Sequence, residues 1–207
     1  ILMPLVDGDK FKKREMVNYT DEEKIKFVKD LLNIYKTLTE NGVLHGDIKF
    51  ENMLIEEHEG KQKLKLIDFG FAKDLTEKIT DHRRYVVCGT PNYLPHTRRT
   101  RDPSLDRYAI CVMILEIFHL DEVESVRNEE LKSPQHQMCM DIEVYTENCK
   151  KGFINLLRQD KEASTTQGMK RPLNKISEAV RDKLLQIIST AQIGSPKEFI
   201  ELAKLFN

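Results

Sequence analysis

Three oxygen-bearing side chains lie at short spacings in one stretch of the chain. Residues 45–52 read H-G-D-I-K-F-E-N, which places Asp47 five residues before Asn52, and Asp68 begins a D-F-G sixteen residues after Asn52. Mg²⁺ prefers oxygen ligands of this kind and usually leaves phosphate oxygens to complete its coordination shell. The residue types and their spacing therefore indicate a site for a magnesium-bound nucleotide.

The segments between these residues predict how they come together. Residues 53–55 and 64–67 have the composition of two short strands, and residues 56–63 are predicted to form a polar turn between them. Such a hairpin would hold Asp47, Asn52 and Asp68 near one end. His45 has the chemistry of a general base, but we favour a packed histidine that braces the loop.

The composition is that of a single domain. Of the 207 residues, 40% are hydrophobic and 32% are charged, and the formal net charge is −1. This balance gives no electrostatic signal for a nucleic-acid or membrane partner. The longest apolar run, residues 109–115, is too short to span a bilayer, and residues 1–6 lack the features of a signal peptide. We therefore expect a cytoplasmic protein with neither kind of partner.

The four cysteines, Cys88, Cys111, Cys139 and Cys149, show no C-x-x-C spacing. Reduced thiols are the prediction for an intracellular protein with this pattern. A zinc site that also used His136 would not match the usual ligand spacing.

The elements around the H-G-D stretch are predicted to be mostly helical. Thr20 and Glu23 form a capping-box pattern ahead of a helix that ends at Asn41-Gly42. Residues 106–118 are apolar nearly all round, which predicts a buried helix. Weaker helical patterns cover residues 123–131, 152–159 and 173–189, and a closing helix runs from a cap at Ser195 to Phe206.

Taken together, four motifs resemble the C-terminal lobe of eukaryotic-type Ser/Thr protein kinases: H-x-D-x-K-x-x-N, D-F-G, the C-G-T-P-x-Y of residues 88–93, and the D-x-Y-A of residues 106–109. The resemblance implies a mainly α (α+β) fold, a helical bundle with short β-hairpins at the catalytic loop, from which the N-lobe is absent. It divides the chain into a hinge at 1–8, a catalytic loop at 45–52, an activation segment at 68–96, a central helix at 106–118 and C-terminal helices at 170–207.

The resemblance also implies the site residues and cofactors, ATP and Mg²⁺. Asp47 would act as base or orient the acceptor hydroxyl, Lys49 would neutralise the γ-phosphate, and Thr90 would bond both. Asn52 and Asp68 would ligate magnesium.

The adenine would meet the Pro4 carbonyl, the Val6 backbone and the Leu54 side chain, and residue 3 would be the gatekeeper. Asp106 would accept backbone N–H bonds from the catalytic loop. The partner would be a protein substrate with a Ser or Thr acceptor.

Several positions depart from the kinase pattern. Gly46 replaces the arginine that normally reads a phosphate on the activation loop, and Val86 occupies the usual phosphoacceptor position. We therefore expect activity that does not depend on the usual activation-loop phosphorylation.

His96 stands where a glutamate would pair with Arg171, which predicts a looser substrate platform. No G-x-G-x-x-G, strand lysine or helix glutamate precedes the hinge, so we expect the chain alone to be nearly inactive and an N-lobe of the same protein to lie upstream.

Two alternatives remain open at this point. H-G-D also occurs in aminoglycoside- and choline-kinase-like enzymes, which would make the protein a small-molecule phosphotransferase. Lys49 and the G-T-P-x-Y motif favour the protein kinases. A pseudokinase scaffold that binds a partner is the non-enzymatic alternative, although a scaffold has no need of the retained Asp47, Lys49, Asn52 and Asp68.

Overall fold

The computed structural model describes residues 8–76, 89–95, 103–132, 142–165, 176–189, 199 and 201–206. The α-helices of this part are α1 Asp21–Glu40, α2 Ser104–Phe118, α3 Leu120–Leu131, α4 Ile142–Thr165 and α5 Glu178–Ser189. The strands are β1 Asp9–Lys10, β2 Val43–Leu44, β3 Met53–His58, β4 Lys61–Leu66 and β5 Lys73–Asp74. Short 3-10 helices cover Lys13–Asn18, Phe50–Asn52, Phe69–Phe71, Pro91–Tyr93 and Glu201–Phe206.

Helix α2 lies at the centre of the helical bundle. Every residue from 105 to 118 is buried, as the apolar sequence predicted. α1, α3 and α5 pack directly on α2, and α4 packs outside it against α3 and α5. The mostly helical architecture with small sheets agrees with the predicted fold class.

Helix α1 begins and ends where its sequence predicted. The Thr20 hydroxyl accepts from the Glu23 backbone N–H at 3.2 Å, and the Glu23 carboxylate accepts from the Thr20 N–H at 2.7 Å, which completes the capping box. Asn41 follows the last helical residue. The buried stripe of α1 faces the core; it consists of Phe27, Val28, Leu31, Leu32, Tyr35 and Leu38.

The hairpin after the H-G-D stretch is longer than predicted. β3 and β4 pair antiparallel from Met53 opposite Leu66 to the end of the ladder, so the prediction of an eight-residue turn over 56–63 was wrong. The connection is the two residues Glu59 and Gly60, with φ of 52° and 71°. Two successive positive φ angles match the right-handed twist of the strands, and the polar residues before and after this turn therefore extend the ladder.

Two further strand pairs complete the sheets. β1 pairs with β3 through Asp9 opposite Ile55. β2 and β5 form a separate antiparallel pair, with Val43 opposite Asp74. This second pair joins the chain just before the H-G-D stretch to the chain just after D-F-G, and thereby holds the two motifs side by side.

The C-terminal half differs from the prediction in its helix boundaries. α4 is much longer than the predicted 152–159. α5 begins at Glu178, after the described non-helical residues 176 and 177, whereas the prediction began at residue 173. The Ser177 hydroxyl accepts from the Val180 N–H at 3.4 Å at the start of this helix. The closing segment Glu201–Phe206 is a 3-10 helix. Across the described ranges, no helix combines the length and the hydropathy needed to cross a membrane.

Candidate functional site

Asp47 lies at the centre of a closed set of hydrogen bonds. Its Oδ1 accepts from the Thr90 backbone N–H at 2.9 Å and from the Thr90 hydroxyl at 2.8 Å. Its Oδ2 lies 2.7 Å from Lys49 Nζ, which also donates to the Thr90 hydroxyl at 2.7 Å. Residues 47 and 90 are 43 positions apart in the chain, so this contact depends on how the tertiary structure positions the segment that carries Thr90.

These donors keep Asp47 charged. Burial raises the pKa of its carboxyl, but the hydrogen bonds from Lys49 and Thr90 outweigh burial and hold that pKa below the usual value. The carboxylate is ionised at neutral pH and can accept a hydrogen bond from a substrate hydroxyl. Its strength as a base is correspondingly small, so orientation of the hydroxyl is its main chemical capacity.

Asn52 is fixed by two hydrogen bonds to Asp47. Its Nδ2 donates to the Asp47 carbonyl at 2.8 Å and to Asp47 Oδ2 at 3.2 Å. Because the amide nitrogen is occupied, the side-chain Oδ1 is the atom left for another partner. Within the described residues no donor bonds this oxygen.

Asp68 lies at the same end of the hairpin as Asn52. The Ile67 N–H donates to the Asn52 carbonyl at 2.9 Å, which ties the residue before Asp68 to the catalytic loop. Asp68 has a left-handed backbone with φ of 64° and is exposed. Its Oδ1 accepts from the Gly70 N–H at 3.3 Å, and no described donor bonds its Oδ2.

The donor set of Asn52 and Asp68 fits a magnesium ion bound with a nucleotide. An amide oxygen and a carboxylate oxygen are hard ligands, and Mg²⁺ is usually held by one or two protein oxygens together with phosphates. No group of three or more His, Cys, Asp and Glu side chains that could hold a metal ion is found in the described ranges. Of the residues in the zinc hypothesis, His136 and Cys139 lie outside those ranges.

His45 joins the H-G-D stretch to the D-F-G motif. It is fully buried; its Nε2 lies 3.1 Å from the Ile67 carbonyl, and its Nδ1 accepts from the Asp47 N–H at 3.3 Å. The Phe69 ring packs edge-on against it at 4.8 Å between centroids. Burial lowers the pKa of His45, so the ring is neutral. With both nitrogens engaged, His45 holds the loop and D-F-G together.

Asp106, at the start of α2, holds the backbone on the other side of the loop. Its two oxygens accept from the His45 N–H at 2.8 Å and from the Gly46 N–H at 2.9 Å. This is the contact that the kinase resemblance implied. Gly46 has φ of 81°, and a Cβ there would lie 3.1 Å from the Phe71 carbonyl oxygen. The glycine therefore lets the chain after D-F-G approach the catalytic loop closely.

The residues predicted to bind adenine are described only in part. Pro4 and Val6, together with the proposed gatekeeper, lie outside the described residues, as do Val86, His96 and Arg171. Leu54 is buried on β3, where it is paired with Lys10 and Lys65. Leu54 is the second residue of β3, which begins directly after Asn52.

A second polar cluster was missed by sequence reasoning. Glu116 and Arg127 are buried and paired between α2 and α3, and Arg127 Nη2 donates to the Asn92 carbonyl at 3.1 Å. A sequence signal for the cluster did exist. Glu116 is a single charge late in an apolar helix, and a buried charge requires a partner. The position of that partner on α3 could not be read from the sequence.

Comparisons with known proteins identify the family of the chain. The protein kinase domain family matches residues 1–191. The chain therefore belongs to the protein kinase family.

Similar proteins narrow this to the eukaryotic Ser/Thr type. Serine/threonine-protein kinase atg1 of Dictyostelium discoideum is 25% identical over 178 residues, which cover 78% of this chain and 25% of that protein. Serine/threonine-protein kinase DCLK1 of Rattus norvegicus is 40% identical over 77 residues, which cover 37% of this chain and 17% of that protein. The chain thus covers a quarter or less of either relative. The family recognised from the motifs is confirmed.

Proposed function

We propose that the protein transfers the γ-phosphate of ATP to Ser or Thr hydroxyls of protein substrates, and that this chain supplies the C-lobe with the catalytic loop. The observation that carries the proposal is the ring of hydrogen bonds among Asp47, Lys49 and Thr90. It places a charged carboxylate, an ammonium group and a threonine hydroxyl at one point, and Asn52, which bonds the same carboxylate, lies at the same end of the hairpin as Asp68.

Each residue has a role in that transfer. The Asp47 carboxylate orients the acceptor hydroxyl and takes its proton as the hydroxyl oxygen bonds the γ-phosphorus and the bond to the ADP oxygen breaks. Lys49 offsets the charge on the transferred phosphoryl group. Asn52 and Asp68 would hold magnesium, which when bound neutralises charge on the nucleotide phosphates. Leu54, Pro4 and Val6 would bind the adenine.

Turnover requires more than these residues. A Gly-rich loop over the phosphates and a strand lysine paired with a helix glutamate are two parts of the kinase machinery. No G-x-G-x-x-G occurs in these 207 residues, and the motifs recognised in them are those of the C-lobe. We expect the Gly-rich loop, the lysine and the glutamate in an N-lobe upstream in the same protein. The 207-residue chain should therefore transfer phosphate far more slowly than the full-length protein, and equal turnover by both would contradict this expectation.

Gly46 supports independence from the usual activation-loop phosphate. Gly46 has no side chain with which to bind a phosphate. The Thr90 hydroxyl already donates a hydrogen bond to Asp47, so the carboxylate is held without a phosphate. Activity should survive phosphatase treatment monitored by mass spectrometry. Loss of activity on dephosphorylation would refute this part of the proposal.

The central test is Asp47→Asn in the full-length protein, assayed with ATP and mixtures of Ser, Thr and Tyr peptides. We expect transfer to Ser and Thr peptides by the wild type, and loss of transfer with retained nucleotide binding in the variant. Transfer by the variant would remove Asp47 from its role. Transfer only to aminoglycosides or choline would favour the small-molecule enzyme, and binding without any transfer by the wild type would favour a scaffold.

A further inference from the structure

A buried ion pair connects helix α2 to helix α3. Glu116 of α2 is 1% exposed and Arg127 of α3 is 5% exposed, and Arg127 Nη1 donates to Glu116 Oε1. Lys13 Nζ donates to the same oxygen at 3.0 Å and also pairs with Glu124. A buried pair of this kind often adds little net stability, because desolvation offsets the attraction. Stability alone does not explain its presence.

The other nitrogen of Arg127 reaches the activation segment. Nη2 donates to the Asn92 carbonyl at 3.1 Å, and the guanidinium carbon lies 5.3 Å from the centre of the Tyr93 ring. The Tyr145 hydroxyl, from α4, donates to Asn92 Oδ1 at 2.5 Å. Asn92 is therefore held through both its backbone and its side chain, by residues of two different helices.

Asn92 and Tyr93 belong to the turn that carries Thr90. The Tyr93 N–H donates to the Thr90 carbonyl at 2.9 Å, and Thr90 in turn makes two hydrogen bonds to Asp47. We propose that Arg127 is a positioning residue that anchors this turn and thereby fixes Thr90 on Asp47. The catalytic meaning of this contact rests on the function proposed above; the contact itself does not.

Arginine suits this position for a geometric reason. Its planar guanidinium presents separate N–H groups in fixed directions, so one side chain serves the Glu116 carboxylate, the Asn92 carbonyl and the Tyr93 ring together. Lysine has one nitrogen and would keep the pair with Glu116 while losing the fixed direction toward Asn92. Arg171, the arginine at the position that pairs with the activation segment in the kinase family, lies outside the described residues. Arg127 contacts the described part of this segment at Asn92.

Hydrogen exchange at Thr90 tests the anchor without any enzyme assay. The Thr90 amide donates to Asp47, so its exchange rate in the 207-residue chain reports whether the contact is held. We expect Arg127→Lys to raise that rate about tenfold or more, while the amides of α1 and α2 keep their protection. Arg158→Lys, at an exposed site on α4, should leave the rate unchanged. Unchanged exchange at Thr90 in Arg127→Lys would overturn the proposal, as would an equal rise throughout α1 and α2.

A double variant separates anchoring from charge pairing. Glu116→Leu with Arg127→Met removes both buried charges together, which is often tolerated. If Arg127 served only to neutralise Glu116, Thr90 would stay protected in the double variant. We expect Thr90 to exchange rapidly even where the thermal stability of the double variant matches the wild type, and protected exchange would overturn the proposal.

The kinetic arm uses the full-length protein. Arg127→Lys should lower kcat about tenfold with the KM for ATP unchanged, because Thr90 bonds the Asp47 carboxylate that would orient the acceptor hydroxyl. An unchanged kcat would overturn the catalytic part of the proposal. If the wild type transfers no phosphate, the proposed function fails, and the exchange measurement still decides whether Arg127 holds Thr90 on Asp47.

Discussion

Thr90 donates two hydrogen bonds to the same oxygen of Asp47, one from its backbone at 2.9 Å and one from its hydroxyl at 2.8 Å. The hydroxyl also accepts from Lys49. The activation segment and the catalytic loop are thus joined at one carboxylate. The orientation of that carboxylate depends on how firmly the segment is held.

The Thr90 hydroxyl should matter for transfer more than for folding. Thr90→Val keeps the shape and the backbone hydrogen bond but removes the hydroxyl from both Asp47 and Lys49. We expect Thr90→Val to lower kcat of the full-length protein at least about tenfold, and Thr90→Ser to retain most of it. Steady-state kinetics with a Thr peptide measures both, and equal turnover by the valine and serine variants would contradict the role of the hydroxyl.

The close approach of the Phe71 carbonyl to Gly46 should affect the free energy of unfolding when Gly46 is replaced. Gly46 and Gly60 both have positive φ, but a Cβ at Gly60 meets nothing within 4 Å, whereas one at Gly46 meets the Phe71 carbonyl. Alanine at either site strains the backbone by about 1 kcal/mol. We expect Gly46→Ala to lower the free energy of unfolding in urea by at least about 1 kcal/mol more than Gly60→Ala does. Equal losses would show that the carbonyl moves away freely.

The buried Asp106 carboxyl should give the chain a particular pH dependence. Burial raises its pKa to about 6, and the N–H donors of His45 and Gly46 offset only part of this. Between about pH 4 and pH 6 the folded state therefore keeps a proton that the unfolded chain loses. The contribution of Asp106 to the free energy of unfolding is greatest below this window. It decreases by about 3 kcal/mol as the pH rises through it.

The Asp106→Asn variant cannot titrate at residue 106, so its free energy of unfolding should lack the pH-dependent contribution of Asp106. Urea unfolding from pH 4 to pH 7 should show the variant gaining stability relative to the wild type as the pH rises. Asp121→Asn, at an exposed position on α3, should follow the wild type. A difference between Asp106→Asn and the wild type that stays constant over this range would refute the assignment of the proton to Asp106.

The magnesium role proposed for Asp68 can be tested by measuring nucleotide binding alone. We expect the wild-type protein to bind ATP more tightly with Mg²⁺ than with EDTA, and Asp68→Asn to lose most of that difference, by roughly tenfold or more in affinity. Asp74→Asn removes a nearby exposed carboxylate from the same segment and is the matched control. Calorimetry measures all three proteins, and a full magnesium effect in Asp68→Asn would exclude Asp68 as a ligand.

Local features of the fold were predictable because they depend on neighbours in the chain. The capping box of Thr20 and Glu23 fixes the start of α1 through contacts three residues apart. The all-round apolar residues of α2 require burial wherever the helix lies. The hairpin turn was the local failure: polar residues at 56–63 resembled a loop, whereas Glu59 and Gly60 alone reverse the chain and their neighbours pair.

The sequence by itself determined the family and predicted the catalytic loop, since Asp47, Lys49 and Asn52 lie within six residues and Asp68 follows a short hairpin. The kinase resemblance supplied the partners Thr90 and Asp106. Only the tertiary structure decided what holds Thr90 in place. The contact between Arg127 and Asn92 joins α3 to a turn 35 residues away, and no periodicity or spacing encodes it. It exists because α2 sets the position of α3, and that packing depends on the whole core.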